Sequence, residues 1–335
     1  MALVIPVFIP HEGCAHRCLF CNQHSLSGQS PPVGGPEVAA TIALWLGRCR
    51  PERLHQVQVA FYGGSFTCLA PERQEELLGP VQPFLDRGVV HGIRLSTRPD
   101  CIDARSLDRL ARYRVQSIEL GAQSCDDAVL ARAGRGHDSA AIARATRLVR
   151  ARGFRLGIQL LPGLPGENFA SLRRTTAAVI GLRPDFVRIY PALVLAGSGL
   201  ACLYHRGGYR PLSLTRAVAR VAWMKKRFDA GGIEVVRMGL QPTRNLERAL
   251  IAGPHHPAFG ELVLGRLMFR QARRLLAQAS SAGPVTLVIA ERDRSIFQGQ
   301  RAVNLHRLRQ LDLARNLVVR TDRDQPRLTV RVAAA

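Results

Sequence analysis

Short apolar runs rich in β-branched residues recur along the chain, separated by longer amphipathic stretches. The runs at 4–9, 57–61, 93–96 and 117–120 predict strands, and those at 156–160, 186–190 and 233–236 predict three more. Between them, 36–49, 71–86, 139–152, 168–180 and 214–230 predict helices, each long enough to carry the chain back to a parallel neighbour. Alternation of this kind predicts an α/β fold, a partial parallel (β/α) barrel. The first six strands run into polar or glycine-rich patches at 11–21, 63–67, 97–100, 121–126, 162–167 and 191–199. In a barrel such patches meet at the carboxyl ends of the strands, where this architecture places its chemistry.

After Pro242 the pattern changes. The chain passes through Gly253-Pro254-His255-His256-Pro257, expected as a turn with satisfied histidines, into a helix near 261–278. A tail follows with strands at 285–289, 317–320 and 328–332 and a helix near 301–311. The expected division is a core domain of residues 1–245 and a small α+β C-terminal extension, 246–335, that caps or extends the barrel.

Composition narrows the class. Residues 1–10 are apolar but few, with no basic start, so neither a signal peptide nor a membrane span is expected, and a soluble cytoplasmic protein is. The net charge of +22 invites a polyanionic partner such as RNA. Lys225 and Lys226 are the only lysines, however, and a bias toward arginine also follows from genomic base composition, so charge alone leaves RNA binding open. Of eight cysteines, three lie within residues 14–21, while Cys49, Cys68, Cys101, Cys125 and Cys202 are scattered. That distribution is not a secreted disulfide scaffold; a reducing compartment is expected, with the scattered cysteines as packing residues.

The chemistry concentrates in Cys14-Ala-His-Arg-Cys18-Leu-Phe-Cys21, directly after the first strand. Three thiolates suit an iron–sulfur cube that keeps one iron open for an outside ligand. Spacing alone also admits zinc, with His11, His16 or His24 as fourth ligand.

Cys-x3-Cys-x-aromatic-Cys, with Phe20 before the last cysteine, resembles the signature of the radical S-adenosylmethionine superfamily. The segments 61–67 (FYGGSFT), 96–100 (STRPD), 119–124 (ELGAQS), 135–137 (RGH), 159–166 (QLLPGLPG) and 189–194 (IYPALV) resemble, in order, loops of the Elongator catalytic subunit and its bacterial relatives. The resemblance implies that Cys14, Cys18 and Cys21 hold a [4Fe-4S] cluster whose open iron binds S-adenosyl-L-methionine. It places Gly63 and Gly64 against the methionyl amine, with Phe20, Ser65 and Ser96 beside the cofactor. By similarity to oxygen-independent coproporphyrinogen oxidases, Gln123, Arg135 and Gln159 hold the ribose and carboxylate. Ser96 and Gln159 stand where relatives carry acids. The resemblance further implies a flavodoxin- or ferredoxin-like electron donor and either RNA, above all tRNA, or a small molecule as substrate. The 335 residues leave no room for the Elongator acetyltransferase domain, so its complete reaction is not expected.

Overall fold

The computed structural model describes residues 2–23, 33–49, 56–279, 284–313 and 317–333. The main sheet takes β1 (Ala2–Phe8), β2 (Gln56–Tyr62), β3 (Gly92–Thr97), β4 (Val115–Gln123), β5 (Arg155–Leu160), β6 (Phe186–Ile189) and, past the two-residue β7 (Val194–Leu195), β8 (Glu234–Met238). Neighbours follow in that order and all pair in parallel. The edges β1 and β8 do not pair with each other, so the seven strands form a curled half-barrel.

Alternation within each strand sorts the two faces. Ile5, Val7, Val59, Phe61, Ile93, Leu95, Ile118 and Leu120 are buried in one apolar layer under the helices, and Ile158, Leu160, Val187 and Ile189 continue it. The intervening residues, among them Arg94, Ser96, Glu119, Gln159 and Arg188, fall on the opposite, inner face. Helices start where side chains supply the missing acceptor: Asp103, Asp138, Asn168 and Ser213 accept from the backbone N–H of Ser106, Ala141, Ser171 and Arg216.

The helix expected over 71–86 is interrupted. It runs as Pro71–Leu78, a 3₁₀ turn Gly79–Val81 and Gln82–Asp86, because Pro80 and Pro83 have no N–H to continue the ladder. Helix Ala104–Arg112 was not expected, although its Asp103 cap and the pair Leu107 and Leu110 announce it.

Residues 244–249 form one helix, and β9 (Leu250–Ala252) returns to pair antiparallel with β7. Helix Phe259–Gln278 then packs Phe259 and Val263 into the outer apolar layer beside Val221 and Phe228. Its other side, with Met268, Ala272 and Leu276, meets Leu287, Ile289, Phe297 and Leu308. These belong to a mixed sheet in which β10 (Val285–Ala290) pairs in parallel with β11 (Leu317–Asp322) and antiparallel with β12 (Val330–Val332). No helix among the described residues is long and apolar enough to cross a membrane.

Two expectations about single residues need correction. Cys68 and Cys101 are joined by a disulfide that ties 3₁₀ turn Phe66–Cys68 to Pro99–Cys101. Pairing of β2 with β3 brings the two following loops together, which a separation of 33 residues conceals. Cys202 is exposed. In the histidine turn, His256 Nδ1 accepts from the Ala258 N–H at 3.0 Å, whereas the buried Nε2 of His255 has no hydrogen-bond partner.

The loop after β5 is pinned by Glu167, whose Oε1 accepts from the Gly163 N–H at 2.9 Å and from Arg220 Nη1 at 2.8 Å. Burial raises this carboxyl from 4.5 to about 7 against the pull of both donors. Because the folded value is the higher one, the stability it contributes is whole below pH 4.5 and is lost as pH rises through 7. Glu167→Gln cannot ionise, so the difference in unfolding free energy between wild type and variant should fall by about 3 kcal/mol over that window. Urea titrations at a series of pH values check this; a constant difference refutes it.

Candidate functional site

The loops after β1 and β2 lie backbone against backbone. Ile9 N–H donates to Tyr62 O at 2.8 Å, and Ser65 N–H donates to Glu12 O at 2.8 Å. Gly63 has φ +103°, a conformation side chains disfavour. A Cβ on Gly64 would lie 2.3 Å from Glu12 O and 2.5 Å from Ile9 O. Gly64→Ala is therefore expected to force the loops apart and cost about 1–3 kcal/mol. A urea midpoint reads the loss against Gly47→Ala, where nothing lies within 4 Å; equal midpoints would show that the contact is not needed.

Ser65 Oγ accepts from the Arg98 N–H at 3.0 Å and lies 3.1 Å from Cys68 Sγ, so the disulfide borders the glycine loop. The cysteine loop is anchored separately. Leu19 N–H donates to Ala133 O at 3.0 Å, Leu200 N–H to Leu19 O at 2.6 Å, and Asn22 Nδ2 to Ala196 O at 2.6 Å. Phe20 packs among Val129, Ala133 and Leu164 on one side and Val194 and Leu200 on the other.

Cys18 is buried, and its Sγ receives Arg135 Nη1 at 3.2 Å, with Arg98 Nη1 at 4.0 Å. Arg98 is itself held by Asp100, through Nε at 2.9 Å and Nη2 at 2.7 Å. Burial raises the Cys14 thiol, and negative charge on Cys18 raises it further while Arg135 and Arg98 oppose. Burial and the charges of Cys18 and Cys14 push Cys21 up to about 12. The three sulfurs thus share one electrostatic neighbourhood, faced by two guanidiniums. Cys14 and Cys21, both raised, would give up their protons on binding a thiophilic metal.

The donor set fits an iron–sulfur cluster in kind, though the sulfurs are not drawn into a closed set. Among the described residues, no three His, Cys, Asp or Glu side chains converge closely enough to hold a metal ion. For the zinc alternative, His11 Nε2 already accepts from the Gln23 N–H at 3.0 Å, and exposed His16 lies against Gly136. His24 lies outside the described residues.

The remaining expected site residues divide into two groups. Gln123, with φ +67°, and Arg135 meet near Gly121, where Arg135 Nη2 donates to Gly121 O at 2.6 Å. Gln123 Oε1 and Arg135 Nε are buried without hydrogen-bond partners, leaving one acceptor and one donor beside the cysteines. Ser96 and Gln159 lie in the lumen instead, where Gln159 Nε2 donates to Ser96 Oγ at 3.0 Å and to Glu119 Oε2 at 2.9 Å.

Glu119 is the centre of a cluster that sequence reasoning missed. Its side chain is 0% exposed and pairs with Arg94 Nη2 at 2.9 Å and Arg188 Nε at 2.8 Å. The Tyr62 and Tyr190 hydroxyls each lie 3.4 Å from Arg188. Burial raises Tyr62 to about 12, so it is a neutral phenol here. A charged residue between two apolar ones, as in Ile93-Arg94-Leu95, Ile118-Glu119-Leu120 and Val187-Arg188-Ile189, was the available signal.

Comparison with known proteins bears on this arrangement. Residues 8–179 match the Radical SAM superfamily and residues 184–268 the Radical_SAM C-terminal domain. Protein YhcC of Escherichia coli is 34% identical over 201 residues, covering 59% of this chain and 63% of YhcC. The tRNA uridine(34) acetyltransferase of Methanocaldococcus jannaschii is 28% identical over 260 residues, 66% of this chain and 48% of that protein. The chain thus spans about half to two thirds of the length of these relatives. Among solved structures, Methanocaldococcus infernus Elp3 superposes with a TM-score of 0.62 at 19% identity, covering 80% of this chain and 63% of that one; it shows the shared fold. With its half-barrel and this match over more than half its length, the chain belongs to the radical SAM superfamily of enzymes.

Proposed function

We propose that Cys14, Cys18 and Cys21 hold a [4Fe-4S] cluster that binds S-adenosyl-L-methionine at its open iron. The observation that carries this reading is Cys18, a buried thiol 3.2 Å from Arg135 Nη1, electrostatically coupled to Cys14 and Cys21 on the same loop. When bound and reduced by one electron from a flavodoxin- or ferredoxin-like donor, the pair supplies a 5′-deoxyadenosyl radical for hydrogen abstraction.

The chain's own residues bind and orient. Arg135 and Arg98 offset the negative charge gathered at Cys18, and Phe20 anchors the loop in apolar packing. Gly63 and Gly64 would present backbone to the methionyl end, with buried Ser65 beside them tying the loop to Glu12 and Arg98. Gln123 offers its free Oε1 to a ribose hydroxyl and Arg135 its free Nε to an acceptor, while Ser96 and Gln159 line the lumen with Glu119, apart from them. Residues 1–245 would carry this chemistry, with 246–335 as a small C-terminal unit that caps the barrel and adds no strand to its sheet.

Modification of an RNA is the reading of substrate favoured by the net charge of +22 and by the M. jannaschii relative's name. Salt-sensitive tRNA binding is its test, and absence of binding at low salt removes it. The buried charged cluster around Glu119 on the inner face favours a second reading, the same chemistry on a small molecule.

Anaerobic reconstitution with iron and sulfide, dithionite reduction with S-adenosylmethionine and chromatography for 5′-deoxyadenosine test the assignment. Product is expected. Stoichiometric zinc without cleavage would overturn it.

A further inference from the structure

Two guanidiniums pair with one carboxylate in the lumen, and a third lies close enough to Tyr190 to act on it electrostatically. Arg94 and Arg188 are both paired with Glu119. Arg237 stands opposite Arg188, because a register shift between β6 and β8 skips Val236. Its Nε donates to Gly239 O at 3.2 Å and its Nη2 to Gln241 Oε1 at 2.5 Å; both are neutral acceptors. With Tyr62 and Tyr190 as neutral phenols, the inner face keeps an excess of positive charge. Arg94 Nε adds a second sign, since it is buried without a hydrogen-bond partner on a side chain only 10% exposed. Uncompensated charge in a partly desolvated space is costly unless a counter-ion meets it. A closed parallel barrel fills its interior with Val, Ile and Leu, whereas this half-barrel places charged side chains on its inner face.

We propose that Arg94, Arg188 and Arg237 form an anion site in the lumen that takes a carboxylate or phosphate group of the substrate, an inference that rests on the function proposed above. Glu119 is the positioning residue: it spreads Arg94 and Arg188 and leaves the third guanidinium, Arg237, to the ligand. Tyr62 and Tyr190, beside Arg188, add hydroxyl donors.

The test is calorimetric titration of the full chain as purified, at constant ionic strength, with inorganic phosphate and separately with succinate. One saturable site is expected for at least one of the two, and the tighter probe identifies the group as phosphate or carboxylate. Arg237→Gln should weaken it about tenfold, the loss of one charge-assisted hydrogen bond. Arg94→Gln, which leaves Glu119 paired to Arg188, should do the same and serves if Arg237→Gln fails to fold. Arg273→Gln/Arg274→Gln, on helix Phe259–Gln278, should change nothing. No saturable binding, equal binding by wild type and both lumen variants, or loss in the Arg273/Arg274 variant would overturn the inference. Because the titration needs neither reductant nor cleavage, its failure is distinct from absence of 5′-deoxyadenosine, which would strike the proposed function instead.

Discussion

Alanine at position 18 is expected to yield a folded chain that neither assembles a cluster nor cleaves S-adenosylmethionine. Cys18 is the sulfur to which the loop's electrostatics converge: it faces Arg135 and Arg98 and, after burial, is the largest cause raising the thiols of both Cys14 and Cys21. Removing it leaves two thiol donors, too few for a cube with one open iron. The side chain lost is small, so the cost to folding should be only about 1 kcal/mol. Iron and acid-labile sulfide should drop to background and 5′-deoxyadenosine below detection, with the far-ultraviolet circular dichroism spectrum unchanged. Cleavage retained by Cys18→Ala would remove the assignment of this loop.

Glu119→Ala should give the largest loss of stability, about 3–5 kcal/mol. A fully buried carboxylate is withdrawn from two guanidiniums whose side chains are only 10% and 16% exposed, and Gln159 loses an acceptor. Removing one partner of a buried pair leaves the other charge desolvated, which costs more than the pair itself contributes. Urea unfolding at neutral pH measures the loss. A change under 1 kcal/mol would mean that water reaches Arg94 and Arg188 far more freely than their burial indicates.

Strand-helix alternation exposed the half-barrel in the sequence because each strand carries its own two-residue period, and a period needs no partner to be read. Glu119 shows where that stops. Its position on the inner face follows from alternation, but its contacts with Arg94 and Arg188 depend on the register of three strands and the curl of the sheet. The Cys68–Cys101 bond fails for a similar reason, since the pairing of β2 with β3 sets it. Arg237 is harder still: strict alternation from Val235 puts it on the outer face, and only the register shift turns it inward. In the candidate site, the three cysteines stood out because one short motif carries them, whereas Arg135 and Gln123 were singled out by resemblance and lie together at Gly121. Ser96 and Gln159 were singled out in the same way, yet the structure joins them to Glu119 instead.

An unclosed sheet also bears on how the proposed cluster would be loaded. β1 and β8 share no ladder, so the cysteine loop is tied to residues 196–200 by loop hydrogen bonds such as Leu200 N–H to Leu19 O and Asn22 Nδ2 to Ala196 O. Each such bond contributes about 1 kcal/mol net, whereas parting two strands of a closed barrel forfeits a whole row at once. Opening the cysteine loop for the proposed cluster would therefore part only loop hydrogen bonds and leave the seven strands paired.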